Sequence, residues 1–436
     1  MSEHPRSAEA FAKARRVMPG GNTRASAFET PHPIYLASGQ GAHVTDIDGR
    51  RYLDFQNNFT TLIHGHRHPT ITAALASQIE KGVSFSNPTL MEIELAELLC
   101  DRVPYFDHVR FTNTGSEAVM IAIKAARAIT GRQIIAKCEG AYHGNYDFVE
   151  MSVGKPPILT WQHLNHGEPS HRGVAANAGA DVVIIPFNDV ETTKNVLAQV
   201  EGCLAAVLVD PLPSRAGLTL IAPDYLRMLR QWTKAQGSLL ISDEVLSFRL
   251  GYAGALGAGD IFPDLCTFGK IIGGGLPIGA IAGPSEIMAV FDPSRAPAPV
   301  THAGTFTANP LSMVAGTAAI SSLREAAFSE LAQLGTVARS LLQAAMDDLG
   351  IKGTVSGAGS LFKVTLGANT VRCYRDTCVS TADKEMLASM VRGMRNQGVL
   401  LSPIGLGALS TVTTREHVDQ LASAFRMALA CEARIG

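Results

Sequence analysis

The sequence carries little charge: Asp, Glu, Lys and Arg make up 17% of its 436 residues, against about 25% in typical soluble domains. So little charge predicts a large core, a surface partly hidden in an oligomer, or both. Length alone suggests about two or three domains. No charge of one sign dominates. The formal net charge of −2 removes the electrostatic case for nucleic acid, which needs clustered Lys and Arg facing phosphates. Nor does any run look able to cross a membrane, which takes about 20 mainly apolar residues. The longest uncharged stretch, Ala296 to Leu323, is broken by prolines and rich in Thr, Ser and Asn. The opening MSEHPRSAEAF lacks the apolar segment of a secretory signal. Cysteines at 100, 138, 203, 266, 373, 378 and 431 are odd in number and scattered, with no CxxC pair or metal-spaced Cys/His cluster. They are expected to be small buried hydrophobes in a reducing cytosol.

What is present is a pattern. A helix is expected from Ser7 to Met18, ended by Pro19-Gly20-Gly21. Strand-like pieces follow at 33–37, 41–46 and 51–55, the last two joined by the hairpin signal Asp46-Ile47-Asp48-Gly49. From about residue 70, amphipathic helices (70–81, 90–102, 116–130 and Asp224–Gln236) alternate with apolar strands (133–138, 182–186, 205–210 and 238–242). Continuous apolar strands separated by helices imply a parallel sheet covered on both faces. After Pro310 the chain reads as helical to about 349, then as a smaller α+β tail with a last helix at 415–433.

Ligands of such sheets bind at the carboxyl ends of the strands, and three strand ends carry candidate chemistry. Asn113-Thr114-Gly115-Ser116-Glu117 opens a helix after HVRFT. Its free N–H groups and dipole suit a phosphate; the plainer reading is a helix cap on Ser116. Ser242-Asp243-Glu244-Val245 follows the strand SLLI. A carboxylate there must be paired, either with a cation or protonated heteroatom or, more plainly, as another cap. Lys270 follows a short apolar strand and precedes a glycine run. It reads either as a desolvated Schiff-base nucleophile or as a surface lysine beside a loop.

Together these describe what pyridoxal 5'-phosphate needs: a phosphate cradle, a lysine for the aldehyde and an acid for the pyridine nitrogen. At this point the chain resembles the class III, fold-type-I PLP-dependent aminotransferases, most closely their glutamate-1-semialdehyde aminomutase-like branch. The resemblance runs from MPGGNTR near residue 20 to LSTVTTREHV near 415, and is carried above all by LLISDEV…DLCTFGKIIGGGLPIGAIAG.

The resemblance implies an α/β fold: a large domain with a mixed, mostly parallel sheet covered by helices, and a smaller α+β domain drawn from both termini. The expected boundaries are 1–65 for the N-terminal segment joining the small domain, 66–312 for the large PLP-binding domain and 313–436 for the C-terminal small domain. It also implies that Lys270 forms the internal aldimine and shuttles a proton. Asp243 would bind the pyridine nitrogen, with Val245 and Tyr142 on the two ring faces and Gly115 and Ser116 on the phosphate. Thr305 would reach a partner's phosphate across a homodimer interface, so the active site would be shared. Arg24 would receive a substrate carboxylate, although it also reads as a loop charge. His143 is expected to be a hydrogen-bonding scaffold residue, and His64, His66 and His68 are assigned no metal. Asn309-Pro310 matches a family turn.

The chain departs from the family in three places. Asp210-Pro211, followed by Leu-Pro-Ser-Arg-Ala-Gly, replaces the usual Glu-Pro and its loop, which leaves Arg215 open to a structural or substrate-facing role. The aminomutase's longer loop is missing around Asn22 and Thr23. The run Ser402-Pro403-Ile404-Gly405 lacks an arginine that some relatives carry there. The expected function is a cytoplasmic aminotransferase taking a β-amino acid or D-arylglycine-like donor to a keto acid acceptor, without nucleic acid or membrane. The alternatives are a 2,1-aminomutase acting on a semialdehyde and a non-catalytic PLP-fold binding protein.

Overall fold

The computed structural model describes residues 4–161, 163–257, 259–295 and 300–432. Residues 296–299 of the uncharged stretch and position 433 of the last expected helix lie outside them. After a first helix come three strands: β1 (Leu36–Gln40), β2 (His43–Asp46) and β3 (Arg51–Asp54). The central sheet comprises β4 (His108–Thr112), β5 (Ile134–Cys138), β6 (Val182–Ile185), β7 (Leu204–Val209), β8 (Leu239–Asp243), β9 (Leu265–Gly269) and β10 (Gly279–Gly283). Their spatial order is β4-β10-β9-β8-β7-β5-β6.

Strands β6 to β9 are buried at every position, as expected where helices cover both faces of a parallel sheet. Alternation along β6 shows the two faces. Val182 and Ile184 join one apolar cluster with the helix α4 (Gly115–Thr130), while Val183 and Ile185 join another with α6 (Pro223–Gln236). Small residues Ala118, Ala122, Ala125 and Ala126 bring α4 close to the sheet. The sheet is mixed and mostly parallel, as the resemblance implies: β10 runs antiparallel to both β9 and β4. The link from Lys270 to Ile278 is too short for the crossover of a dozen or more residues that a parallel partner requires.

Other helices of more than two turns among the described residues are α1 (Pro5–Ala14), α2 (Pro69–Ile79), α3 (Leu90–Arg102), α5 (Val190–Ala198), α7 (Pro310–Ser322), α8 (Glu325–Asp348), α9 (Thr381–Asn396) and α10 (Arg415–Glu432). The first expected helix therefore ends four residues early, and the first expected strand, at 33–37, is shifted to Leu36–Gln40. The helical run after Pro310 breaks at Leu323. Near the C-terminus, β13 (Val399–Leu400) pairs in parallel with β3, tying the N-terminal strands to the end of the chain. β11 (Gly353–Ser356), β12 (Leu361–Leu366) and β14 (Leu406–Ala408) form a third, antiparallel sheet. Among the described residues, no helix is long and apolar enough to cross a membrane.

Candidate active site

Asp243 is the last residue of β8, and burial leaves its carboxylate dependent on neighbours. Val245 N and Thr267 Oγ1 each donate to Oδ1 at 3.1 Å, and His143 Nδ1 lies 2.7 Å from Oδ2. His143 is buried too, and its Nε2 has no protein partner among the described residues. Burial lowers the imidazole's pKa, against the opposing pull of Asp243. A neutral ring whose Nδ1–H points at Asp243 satisfies both groups.

Lys270 follows β9 with φ 49°, in the left-handed region that L side chains rarely adopt. Desolvation lowers its amine to about 8, although the carboxylates of Asp210 and Asp243 pull the other way. Asp210, at the end of β7, is buried, and burial and the charge of Asp243 push its carboxyl well above the usual range.

The N-terminus of α4 points into the same space. Thr114, not Ser116, caps this helix: its hydroxyl accepts from Glu117 N at 3.1 Å. Threonine is among the preferred caps when its backbone is extended, and this leaves the Ser116 side chain free for other work. Ser116 Oγ accepts from Asn145 N at 3.2 Å. The first-turn N–H groups of Gly115 and Ser116 have no intrahelical partner. Glycine is required at 115, because a Cβ there would lie 2.7 Å from Val245 Cγ2.

These groups surround one cavity of about 470 Å³, which Arg24, Gly115, Ser116, Tyr142, His143, Asp210, Asp243, Val245 and Lys270 help to line. The residues fit pyridoxal phosphate. Unpaired helix N–H groups suit its phosphate, a buried hydrogen-bonded carboxylate suits its ring nitrogen, and a depressed lysine suits its aldehyde. Tyr142 stands at the rim, 43% exposed, with the Arg215 guanidinium carbon 5.5 Å from its ring centroid. Arg24 is held by Asn58, whose Oδ1 accepts from Nη1 at 2.9 Å. Thr305 is not brought to this cavity by its own chain. It is exposed and lines a separate cavity of about 1130 Å³ with Phe85, Ile93 and Asn309.

Two contributors escape the sequence reading. Asn57 to Thr60 form four successive left-handed residues, with φ from 45° to 75°, which present Asn58 to Arg24. Arg249, fully buried, pins the end of that turn: it donates to Thr60 O at 2.8 Å, to Ser360 Oγ at 2.9 Å and to Leu409 O. Only the Asn-Asn pair hinted at the left-handed turn. Of the histidines at 64, 66 and 68, His64 and His68 lie ring against ring, centroids 4.7 Å apart, and each of the other contacts is to protein groups. His64 bonds Thr411 Oγ1 and Ala319 O, while His66 pairs with Asp54 at 2.8 Å. His4, Asp46 and Asp48 do lie together, but Asp46 accepts from Tyr52 and Arg50, and Asp48 from Arg6 and Ser7.

The sequence profile described as Aminotransferase class-III matches residues 25–429. A curated relative, glutamate-1-semialdehyde 2,1-aminomutase of Desulforudis audaxviator (strain MP104C), is 38% identical over 426 residues and 96% of each chain. Further curated relatives at 36–38% identity bear the same description. Among solved structures, an omega-transaminase from Sphaerobacter thermophilus is 43% identical with a TM-score of 0.94, each chain covering 98% of the other. A transaminase with PLP bound is 39% identical with a TM-score of 0.92 over 100% of both chains. A beta-phenylalanine aminotransferase from Variovorax paradoxus is 32% identical, with a TM-score of 0.88 over 98% of this chain and 94% of that one.

Proposed function

The chain belongs to the class-III aminotransferase family of PLP enzymes, and on that premise we propose that it moves an amino group on small carboxylated substrates. The carrying observation is the convergence of Lys270, Asp243 and the α4 N-terminus on one cavity of about 470 Å³. Bound pyridoxal phosphate supplies an aldehyde and an electron sink for charge developing at the substrate carbon. The chain's own residues do the rest. Gly115 and Ser116 bind the phosphate through backbone N–H groups. Asp243, steadied by His143, holds the proton on the ring nitrogen. Val245 and Tyr142 confine the ring from its two faces. Lys270 Nζ is the covalent anchor and the base that carries the proton, and Arg24 receives a substrate carboxylate through its fork of donors. In a homodimer, Thr305 of the second copy would complete the phosphate site.

Two versions of the transfer share this machinery. The curated relatives back the intramolecular 2,1-aminomutase, placed second by the sequence reading, better than the intermolecular transaminase it placed first. The transaminase keeps a specific observation in its favour, the likeness to two solved transaminases at 43% and 39% identity. A β-amino acid donor, suggested by Arg24, belongs to the transaminase reading, and the beta-phenylalanine aminotransferase is in keeping with it.

One experiment separates them. The enzyme carrying the aminated cofactor is mixed with pyruvate or 2-oxoglutarate, and the visible band of lysine-bound cofactor is followed. Its return means transfer to an external keto acid, whereas turnover of a semialdehyde with no keto acid present means an aminomutase. A chain that does neither, or whose cofactor band survives Lys270→Ala, is not an amino-transfer enzyme of this kind.

A further inference from the structure

The run Asp210-Pro211-Leu212-Pro213-Ser214-Arg215, where the chain departs from its family, supplies no substrate contact in the reading above. Its end forms a single turn of 3-10 helix, Ser214–Ala216. Elements from the C-terminal part of the chain tie that turn down. Lys363 Nζ donates to Ser214 O at 2.8 Å, Thr377 Oγ1 to Arg215 O at 3.0 Å, and Ser356 Oγ to Gly217 O.

The backbone is thus held while the Arg215 side chain stays exposed. Its guanidinium lies over Tyr142, and both Tyr142 and Ser214 line the cavity around Lys270. A cation within about 6 Å of an aromatic face is attracted to it. The contact places the guanidinium at the cavity rim without neutralising it. Among the described residues no carboxylate pairs with Arg215, whereas Arg230 pairs with Asp264 and Arg395 with Glu29.

We propose that Arg215 is a specificity-determining residue that receives a second substrate carboxylate, so that the cavity takes dicarboxylates held between Arg24 and Arg215. The proposal rests on the reading that the cavity around Lys270 is the substrate site. Both arginines belong to that site, Arg24 as a lining residue and Arg215 through the Tyr142 ring, and among the described residues neither has a carboxylate partner. A guanidinium fork matches a carboxylate with two parallel bonds. It would do what the run 402–405, which has no arginine, cannot. In amino transfer the ligand is then a dicarboxylic keto acid or the corresponding amino acid.

Glutarate and valerate have five carbons each but carry two carboxylates and one. Titrated into the cofactor-loaded enzyme and read by the shift of the cofactor's visible band, the wild type should bind glutarate at least tenfold more tightly. Arg215→Gln should cut that preference by roughly tenfold to a hundredfold, while Arg24→Gln weakens both ligands. Arg215→Lys keeps the charge but not the fork, so it should lose part of the preference; it also carries the test if the glutamine variant does not fold. A wild type without preference, or a preference unchanged in these Arg215 variants, overturns the proposal. Failure to aminate any keto acid would sink the transaminase reading alone, because glutarate binding still decides the role of Arg215.

Discussion

Lys270 sits in a left-handed conformation directly after a strand that is buried throughout, a placement that costs of order 1–3 kcal/mol in backbone strain and persists because the strand and the following turn are packed. Its amine, lowered to about 8 by desolvation, becomes neutral and nucleophilic as pH rises through that value. Capture of pyridoxal phosphate by the cofactor-free protein should therefore quicken roughly tenfold per pH unit below 8 and level off above it. Stopped-flow measurement of the visible band against pH checks this, and a rate that keeps climbing tenfold per unit above pH 8 would show that the lysine is not depressed. Lys137 offers a second titration. It is completely buried, donates to Met151 O at 2.9 Å, and is lowered by burial to about 7. Between about 7 and the ordinary lysine value near 10.4, the unfolded chain binds a proton that the folded chain does not, so stability rises with pH across that window. Below it the full penalty of the buried charge is present. Lys137→Met should flatten this rise in urea midpoints, and an unchanged slope would remove Lys137 as its source.

At the scale of elements, the proposed phosphate cradle is the meeting of α4 with the loop that follows β5. Gly144 has φ 95°, and a Cβ on it would lie 2.3 Å from Ser116 Oγ and 2.7 Å from Ser116 Cα. Gly144→Ala must therefore move either its own loop or the first turn of α4, at a strain cost of about 1–3 kcal/mol. The expected result is a cofactor dissociation constant raised roughly tenfold or more, with the far-ultraviolet spectrum preserved. Cofactor affinity equal to wild type would mean that Ser116 does not hold the phosphate. The β10 strand shows how an element's neighbours follow from the length of its link. Burial at all five positions makes the short run Gly279–Gly283 a strand of the sheet.

For the whole molecule, the shortage of charge meets an exposed apolar surface. Leu90 is 73% exposed and Phe306, next in the chain to Thr305, 64%; Phe85 and Ile93 are exposed too, and line the second cavity with Thr305. Monomeric proteins rarely leave such patches bare. The proposed homodimer would cover this face and bring Thr305 to the neighbour's phosphate. Phe306→Glu should then sediment as a monomer at micromolar concentration and lose cofactor on gel filtration. If the wild type itself is monomeric and retains its cofactor, the shared site is wrong. Surface charges were too few from the outset, and this interface is the candidate reason.

The sequence by itself determined the strand-end chemistry. A buried apolar strand followed by Asp243, another followed by Lys270, and a small-residue turn opening α4 are local patterns, and in an open sheet of this kind strand ends face one crevice. Tertiary structure alone decided what completes that crevice. Arg249 bonds Thr60 O across 189 residues of chain and Leu409 O across 160, and no local pattern announces such a link. The left-handed turn presenting Asn58, the direction of β10, the stacking of Arg215 on Tyr142 and the separation of Thr305 from its own chain's cavity are of the same kind. Each depends on which distant segments pack together, and packing is a property of the folded whole.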